Sequence, residues 1–406
     1  MADFFQNGII TTLQNVSERS LEDIEHELEK FAKRRNMVLL LPALYSEFET
    51  PAMQTILNEL KGVKYIYKII LGLDAATKEQ YEKVKEIMSV LDIPVDILWN
   101  DGPQIQALYK DISEVGFGSL DIKGKGRNVW TMIGHALSDP NAHAFALHDC
   151  DIVNYSREIP AKLFYPIVHP ALNFEFNKGY YSRVTNKLHG RATRLFYSPL
   201  ITALRLTYGD CRYLEYMGSF RYALSGEFSF IRTLARSIRI SPTWGLEVST
   251  LSEVFDNTSV RRICQTEIMQ SYEHKHQELK SKDKENELDG GIAKMAIDIA
   301  QTIFRIMSQQ GIVFSDESLK TLRATFFHES RKAIGKFDAL AKLNGVTYDR
   351  KKEIDVVENF EKALERACDE FSADPFGVPA LSAWTSVRSV FPEISEAFIK
   401  SVQSES

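Results

Sequence analysis

A chain of 406 residues exceeds what one hydrophobic core usually organises, so its length predicts a large α/β domain with an elaboration, or two domains. Its 44% hydrophobic and 26% charged residues fit a globular protein in water, and no apolar run approaches the ~18 residues that span a bilayer. A net charge of −6 offers no global attraction to nucleic acid or anionic lipid, and four widely separated cysteines exclude a disulfide scaffold.

Residues 1–36 lack the basic start and continuous apolar segment of a signal peptide, and they read as an amphipathic helical lead-in to a cytoplasmic protein. MVLLLPAL (37–44), stopped by Pro42, has the unbroken apolar character of a strand buried on both faces. YIYKIILGLD (65–74) is a second such run. KEQYEKVKEIMSVL (78–91) reads as a helix, and VDILWND (95–101) as a third strand. GKGRNVWTMIGHAL (124–137) opens as a glycine-flanked basic turn and becomes helical; HAFALHDCD (143–151) is a fourth strand with two acids at its C-terminal end. Strands alternating with helices at this spacing predict a mostly parallel sheet, whose ligands bind at the C-terminal edge. From about 155 the pattern turns irregular and aromatic-rich. A charged stretch, 271–291, ends in Gly290-Gly291, and 292–406 has helical periodicity throughout.

The chemistry concentrates in a few places. Residues two apart on a strand project to one side, so Asp149 and Asp151 face a common point where their charges repel. A hard cation, Mg²⁺ or Mn²⁺, carrying a diphosphate relieves that repulsion, although a bare DxD also suits a solvated turn. A third ligand would come from His274 or His276, whose alternate spacing lets only one face the site. Gly124-Lys125-Gly126-Arg127 supplies approachable backbone amides and two cations, but it is neither a Walker A loop nor a dinucleotide fingerprint. HGRATR (189–194) gathers Gly190, Arg191, Thr193 and Arg194, a set that suits a phosphate or carboxylate. In SGEFSF (225–230), Glu227 reads as a helix N-terminal acid, structural or in contact with an acceptor hydroxyl.

Taken in order and spacing, these motifs give the chain a shape that resembles the glucosyl-3-phosphoglycerate synthases, retaining glycosyltransferases related to mannosylglycerate synthase, over most of residues 37–280. The resemblance implies a GT-A fold: a Rossmann-like, mostly parallel α/β sheet flanked by helices, with a C-terminal helical extension. It implies a nucleotide-sugar donor, UDP-glucose first, held by Pro42, Leu44, Glu47, Asp74, Lys125, Asp149 and Cys150. It places 3-phosphoglycerate at Gly190, Arg191 and Thr193, a Mg²⁺ or Mn²⁺ ion at Asp151 and His274, and catalytic roles at Glu227 and Asp149. The implied division is a lead-in 1–36, a donor half 37–154, an acceptor half 155–290 and a helical region 291–406, in a homodimer with no nucleic-acid partner and no membrane span. Two departures touch the donor side. Tyr45-Ser46-Glu47 stands where the family usually carries Asn-Glu-Glu, and Asp74-Ala75-Ala76-Thr77 where it carries Asp-Ser-Gly-Ser, which leaves GDP-glucose and mannose donors open. A nucleotidyltransferase is the competing reading, but its glycine-rich loop does not follow the first strand.

Overall fold

The structure is a computed structural model that describes residues 5–17, 19–271 and 291–405. Eight strands form one sheet: β1 (Thr11–Leu13), β2 (Asn36–Leu44), β3 (Ile66–Asp74), β4 (Val95–Trp99), β5 (Ala142–Leu147), β6 (Phe176–Ser182), β7 (Phe228–Ile231) and β8 (Ile263–Ser271), in the order β1-β8-β6-β7-β5-β2-β3-β4. Only β7 runs against its neighbours; every other pairing is parallel. The helices of the first half are α1 (Leu21–Ala32), α2 (Pro51–Leu60), α3 (Lys78–Met88), α4 (Pro103–Glu114), α5 (Lys125–Ser138) and α6 (Glu158–Val168). After β6 come α7 (Ser198–Tyr208), α8 (Arg212–Met217), α9 (Arg232–Ala235) and α10 (Leu246–Asn257). The C-terminal part is α11 (Gly291–Gln309), α12 (Asp316–Leu343), α13 (Arg350–Ala373), α14 (Trp384–Val390) and α15 (Ile394–Glu405). No helix among the described residues is long and apolar enough to cross a membrane.

The unbroken apolar runs are central strands because helices cover both faces of the sheet. Val38 and Leu40 of β2 point into one hydrophobic cluster, whereas Met37, Leu39 and Leu41 point into the other. The second cluster is closed by α1, α2, α3 and α6. The first runs without a break from the sheet through Trp130 to Phe304, Phe326, Phe360 and Phe398, so the C-terminal helices pack as part of the main core. Trp384 of α14 stacks on Trp130 of α5 at 4.0 Å and donates to its carbonyl at 3.0 Å, while Trp130 donates to Ser382 O at 2.7 Å. The tail thus braces α5, the helix whose first residue is Lys125.

Two sequence expectations change. The lead-in is not wholly helical: Thr11–Leu13 adds to the sheet edge beside β8, and the amphipathic signal belongs to α1 alone. Three residues are too short to show a strand period, and their pairing partner lies about 250 positions away in sequence. The fourth strand ends at Leu147, so Asp149 and Asp151 occupy the loop beyond it; Cys150 between them is buried, and the alternation persists without the strand.

On β4, Asp96 lies 2.8 Å from both Lys68 Nζ and His135 Nε2. Burial alone would raise its pKa, but the two partners outweigh burial and bring it to about 2. An acid depressed in this way adds stability that is present above its ordinary value near 4 and is lost as pH falls through about 2. Asp96→Asn should therefore cost about 2 kcal/mol at neutral pH and almost nothing near pH 2, read by denaturant unfolding. An equal deficit at both pH values would assign the effect to packing.

Candidate active site

β2 leads to β3 on one side and pairs with β5 on the other, and this reversal of strand order opens a crevice at the C-terminal edge. Pairing of β2 with β5 stops at Leu40–Leu147, so Pro42, Ala43 and Leu44 run on with β3 alone. Proline fits there because no second ladder needs its missing N–H. Register then sets Leu44 beside Asp74, two of the predicted donor contacts. Leu44 is exposed, and its backbone N–H donates to Glu47 Oε2 at 3.3 Å. Asp74 accepts from Asn128 Nδ2 at 2.9 Å, and burial pushes its pKa up to about 6.

Lys125 opens α5 rather than lying in a turn, with Gly124 as its N-cap. A Cβ on Gly126 would sit 1.9 Å from the Ser241 carbonyl, so glycine is what lets this helix start press against the 241–242 backbone. Lys125 Nζ lies 2.6 Å from Asp149 and 3.3 Å from Glu247 of α10. Burial works against its charge, but Asp149 and Glu247 outweigh burial and raise its pKa, so the ammonium stays protonated. His148, fully buried, fixes the start of the acidic loop: Nδ1 is 2.9 Å from Asp149 O, and Nε2 is 3.1 Å from Tyr155 OH.

Glu227 precedes strand β7 and is not in a helix, which corrects the expectation for SGEFSF. It is fully buried and accepts from Tyr181 OH at 2.7 Å. Its neighbour Gly226 lies against the acidic motif: an added Cβ would stand 2.5 Å from Asp149 Oδ2. Beneath them Lys178 is buried, donates to Ser225 O at 2.5 Å, and has its pKa lowered to about 8 by burial.

The GRAT loop reaches the same place. Gly190 has φ 71°, a left-handed conformation that glycine adopts without strain, and Tyr222 OH lies 4.0 Å from its Cβ position. Tyr222 packs edge-on against Tyr181 at 5.1 Å, and Tyr181 holds Glu227. Arg183, whose carbonyl accepts from His189 N–H at 2.9 Å, donates from Nη1 to Tyr222 OH at 3.2 Å, so contacts run from the residue before Gly190 through Arg183, Tyr222, Tyr181 and Glu227 to Gly226, which lies against Asp149. After Arg191 the chain turns as a π-helix, Ala192–Tyr197, a winding common at functional sites. Thr193 Oγ1 is buried there with no hydrogen-bond partner, a polar atom suited to a ligand. Arg191 Nε donates to Glu353 Oε1 of α13 at 2.8 Å, and Arg194 pairs with the same carboxylate. The C-terminal helices thereby hold the loop.

The acids fit a hard divalent cation. Glu47 has its pKa raised to about 8, first by burial and next by the charges of Asp151 and Asp149: the crevice holds more carboxylate than it keeps ionised alone. Among the described residues no group of three metal-ligating side chains is gathered, and His274 and His276 lie outside them. Sequence reading missed Glu247, Lys178, Tyr181 and Glu353. None belongs to a local motif; Glu353 is 162 positions from Arg191.

No family model matches the chain. Over 405 residues it is 60% identical to a glucosyl-3-phosphoglycerate synthase of Persephonella marina, covering 100% of this chain and 99% of the relative. The chain belongs to the glucosyl-3-phosphoglycerate synthases. The Methanococcoides burtonii synthase is 36% identical over 97% of this chain and 96% of its own. Among solved structures, the Mycobacterium tuberculosis synthase with Mn²⁺, UDP-glucose and phosphoglyceric acid superposes with a TM-score of 0.52 at 21% identity, over 75% of this chain and 89% of that one. The same enzyme with Mg²⁺ and UDP gives 0.51, over 76% and 89%. At this identity the likeness speaks for the fold, and it bears out the GT-A expectation.

Proposed function

We propose that the chain transfers glucose from UDP-glucose to the 2-hydroxyl of 3-phosphoglycerate with retained anomeric configuration. The observation that carries this reading is the line of contacts from His189, at the head of the GRAT loop, to Asp149, which supports an acceptor loop close to the proposed diphosphate site. Family membership supports the substrates. Leu44, Glu47 and Asp74, at the ends of β2 and β3, would receive the nucleoside, and Lys125 the diphosphate. Asp151 and Asp149 would hold a divalent cation, with His274 the candidate third ligand; when bound, the cation neutralises charge developing on the leaving diphosphate.

The reaction breaks the bond between the anomeric carbon and the β-phosphate oxygen and forms one to the acceptor oxygen on the same face. The acceptor proton passes to the departing phosphate oxygen. Lys125 stays charged beside Asp149 and stabilises that leaving group. Glu227, buried behind Tyr181, is assigned to orienting the acceptor side. Arg191 and Thr193 bind the acceptor's phosphate or carboxylate, for which Arg191 exchanges its contact with Glu353.

Product identification after incubation with 3-phosphoglycerate and a panel of UDP- and GDP-sugars tests the whole reading, and glucosyl-3-phosphoglycerate from UDP-glucose is expected. In the same assay Arg191→Ala should raise the KM for 3-phosphoglycerate ~30-fold, the loss of about 2 kcal/mol from a charge-assisted contact, with the donor KM unchanged. A shift in the donor KM alone would move Arg191 out of the acceptor site.

A further inference from the structure

Three arginines meet on the opposite edge of the sheet. β7 runs antiparallel to β5, with Ile231 opposite Ala144, so it delivers Arg232 of α9 and Arg236, the cap of that helix, to the end where β5 begins. From Ala142 to Asp149 the chain advances seven residues at ~3.3 Å each, which puts this edge roughly 20 Å from the acidic loop. Arg388 of α14 completes the group. Arg232, Arg236 and Arg388, with Thr385 and Leu137, line a cleft of about 180 Å³.

Among the described residues none of the three guanidinium groups forms an ion pair; the nearest acid to act on the cluster is Asp139, whose charge reaches Arg232 through space. Arg232 spends its donors on backbone carbonyls, of Leu137 and Asp139 at 2.6 Å and of Ala142 at 3.2 Å, which orients the group without cancelling its charge. Arg388 is less satisfied. Its Nε and Nη2 are buried with no hydrogen-bond partner, an adjacent pair of donors that can grip a tetrahedral anion in a fork once the side chain turns into the cleft. Burial and then the charges of Arg232 and Arg236 press its pKa down. A cation left this way carries both desolvation and like-charge costs, which the charge and hydrogen bonds of a bound anion offset.

We infer that the Arg232, Arg236 and Arg388 cleft is a second anion site, separate from the transfer site, which takes a phosphate dianion, either inorganic phosphate or the phosphate of a small phosphomonoester. The volume admits one such group and little more. Arg232 and Arg236 follow directly on β7, whereas Arg388 and Thr385 belong to α14, so the anion ties the C-terminal region to the core next to the Trp130–Trp384 stack.

The test is thermal melting of the full chain in potassium phosphate against potassium chloride of equal ionic strength, for the wild type, Arg388→Gln and Arg236→Gln. Wild type should gain about 2 °C or more over chloride at phosphate concentrations well above the dissociation constant, and each variant should lose at least half of that gain. Arg236 is exposed, so its variant remains informative if Arg388→Gln folds poorly. The acceptor loop is intact in both variants, so any shift it contributes is common to all three proteins, and transfer activity without added phosphate should be unchanged. If the part of the gain that the variants lose is larger with glycerol 3-phosphate than with inorganic phosphate, an organic phosphate is the occupant; if it is equal, the site takes the phosphate group itself. Equal gains in all three proteins, or no gain beyond chloride in the wild type, overturn the site.

Discussion

Asp151→Ala should lower kcat/KM by about 10³-fold, about 4 kcal/mol of transition-state stabilisation, while the protein stays folded. Asp151 lies in the loop beyond β5 and is next after burial among the causes that raise the Glu47 pKa to about 8. Removing it lowers the repulsion that Glu47 and Asp149 feel, so the metal-free variant should melt no lower than the parent. What it loses is the oxygen ligand for the cation, and with it the charge neutralisation of the leaving diphosphate. The two effects separate in one experiment: melting curves with and without Mn²⁺ alongside a Mn²⁺ titration of activity. The parent should gain stability from metal with UDP, and the variant should gain little. A near-normal rate at low Mn²⁺ would remove Asp151 from the ligand set.

Gly226→Ala should cost about 10²-fold in kcat/KM with little change in melting temperature. The new methyl group would stand 2.5 Å from Asp149 Oδ2 and 2.8 Å from its Cγ, closer than real Cβ contacts come. Asp149 is short and held by Lys125 at 2.6 Å, so relief requires the carboxylate to swing and that pair to break. The pair is partly exposed, with side chains 29% and 23% accessible, so its loss weighs lightly on folding; the position of Asp149 weighs heavily on chemistry. The Mn²⁺ concentration giving half-maximal activity should rise with the loss of rate. Wild-type kinetics in Gly226→Ala would mean that the location of Asp149 does not matter to transfer.

Much of the donor half was legible in the sequence because its strands are unbroken apolar runs and its motifs are local. Asp149 and Asp151, two residues apart, share a side whether the backbone is a strand or the loop found here. The acceptor half was less legible. Glu227 looked helical because SGEFSF carries a glycine and an acid, yet antiparallel pairing of Phe228–Ile231 with β5 and β6 makes it the lead-in to a strand. Local propensity cannot report such pairing. β1 was invisible for the same reason.

By itself the sequence determined the alternation of strands and helices, the glycine-flanked basic segment, the acidic pair, the GRAT motif and the helical tail, all carried by short-range periodicity and spacing. Only the tertiary structure decided that the tail shares the main core, that Glu353 holds Arg191, that Glu247 joins Asp149 on Lys125, and that three arginines converge at the far edge. The reason is physical. Burial, ion pairing and close backbone approach depend on which distant segments the sheet order brings together, and neither a periodicity nor a motif records that order.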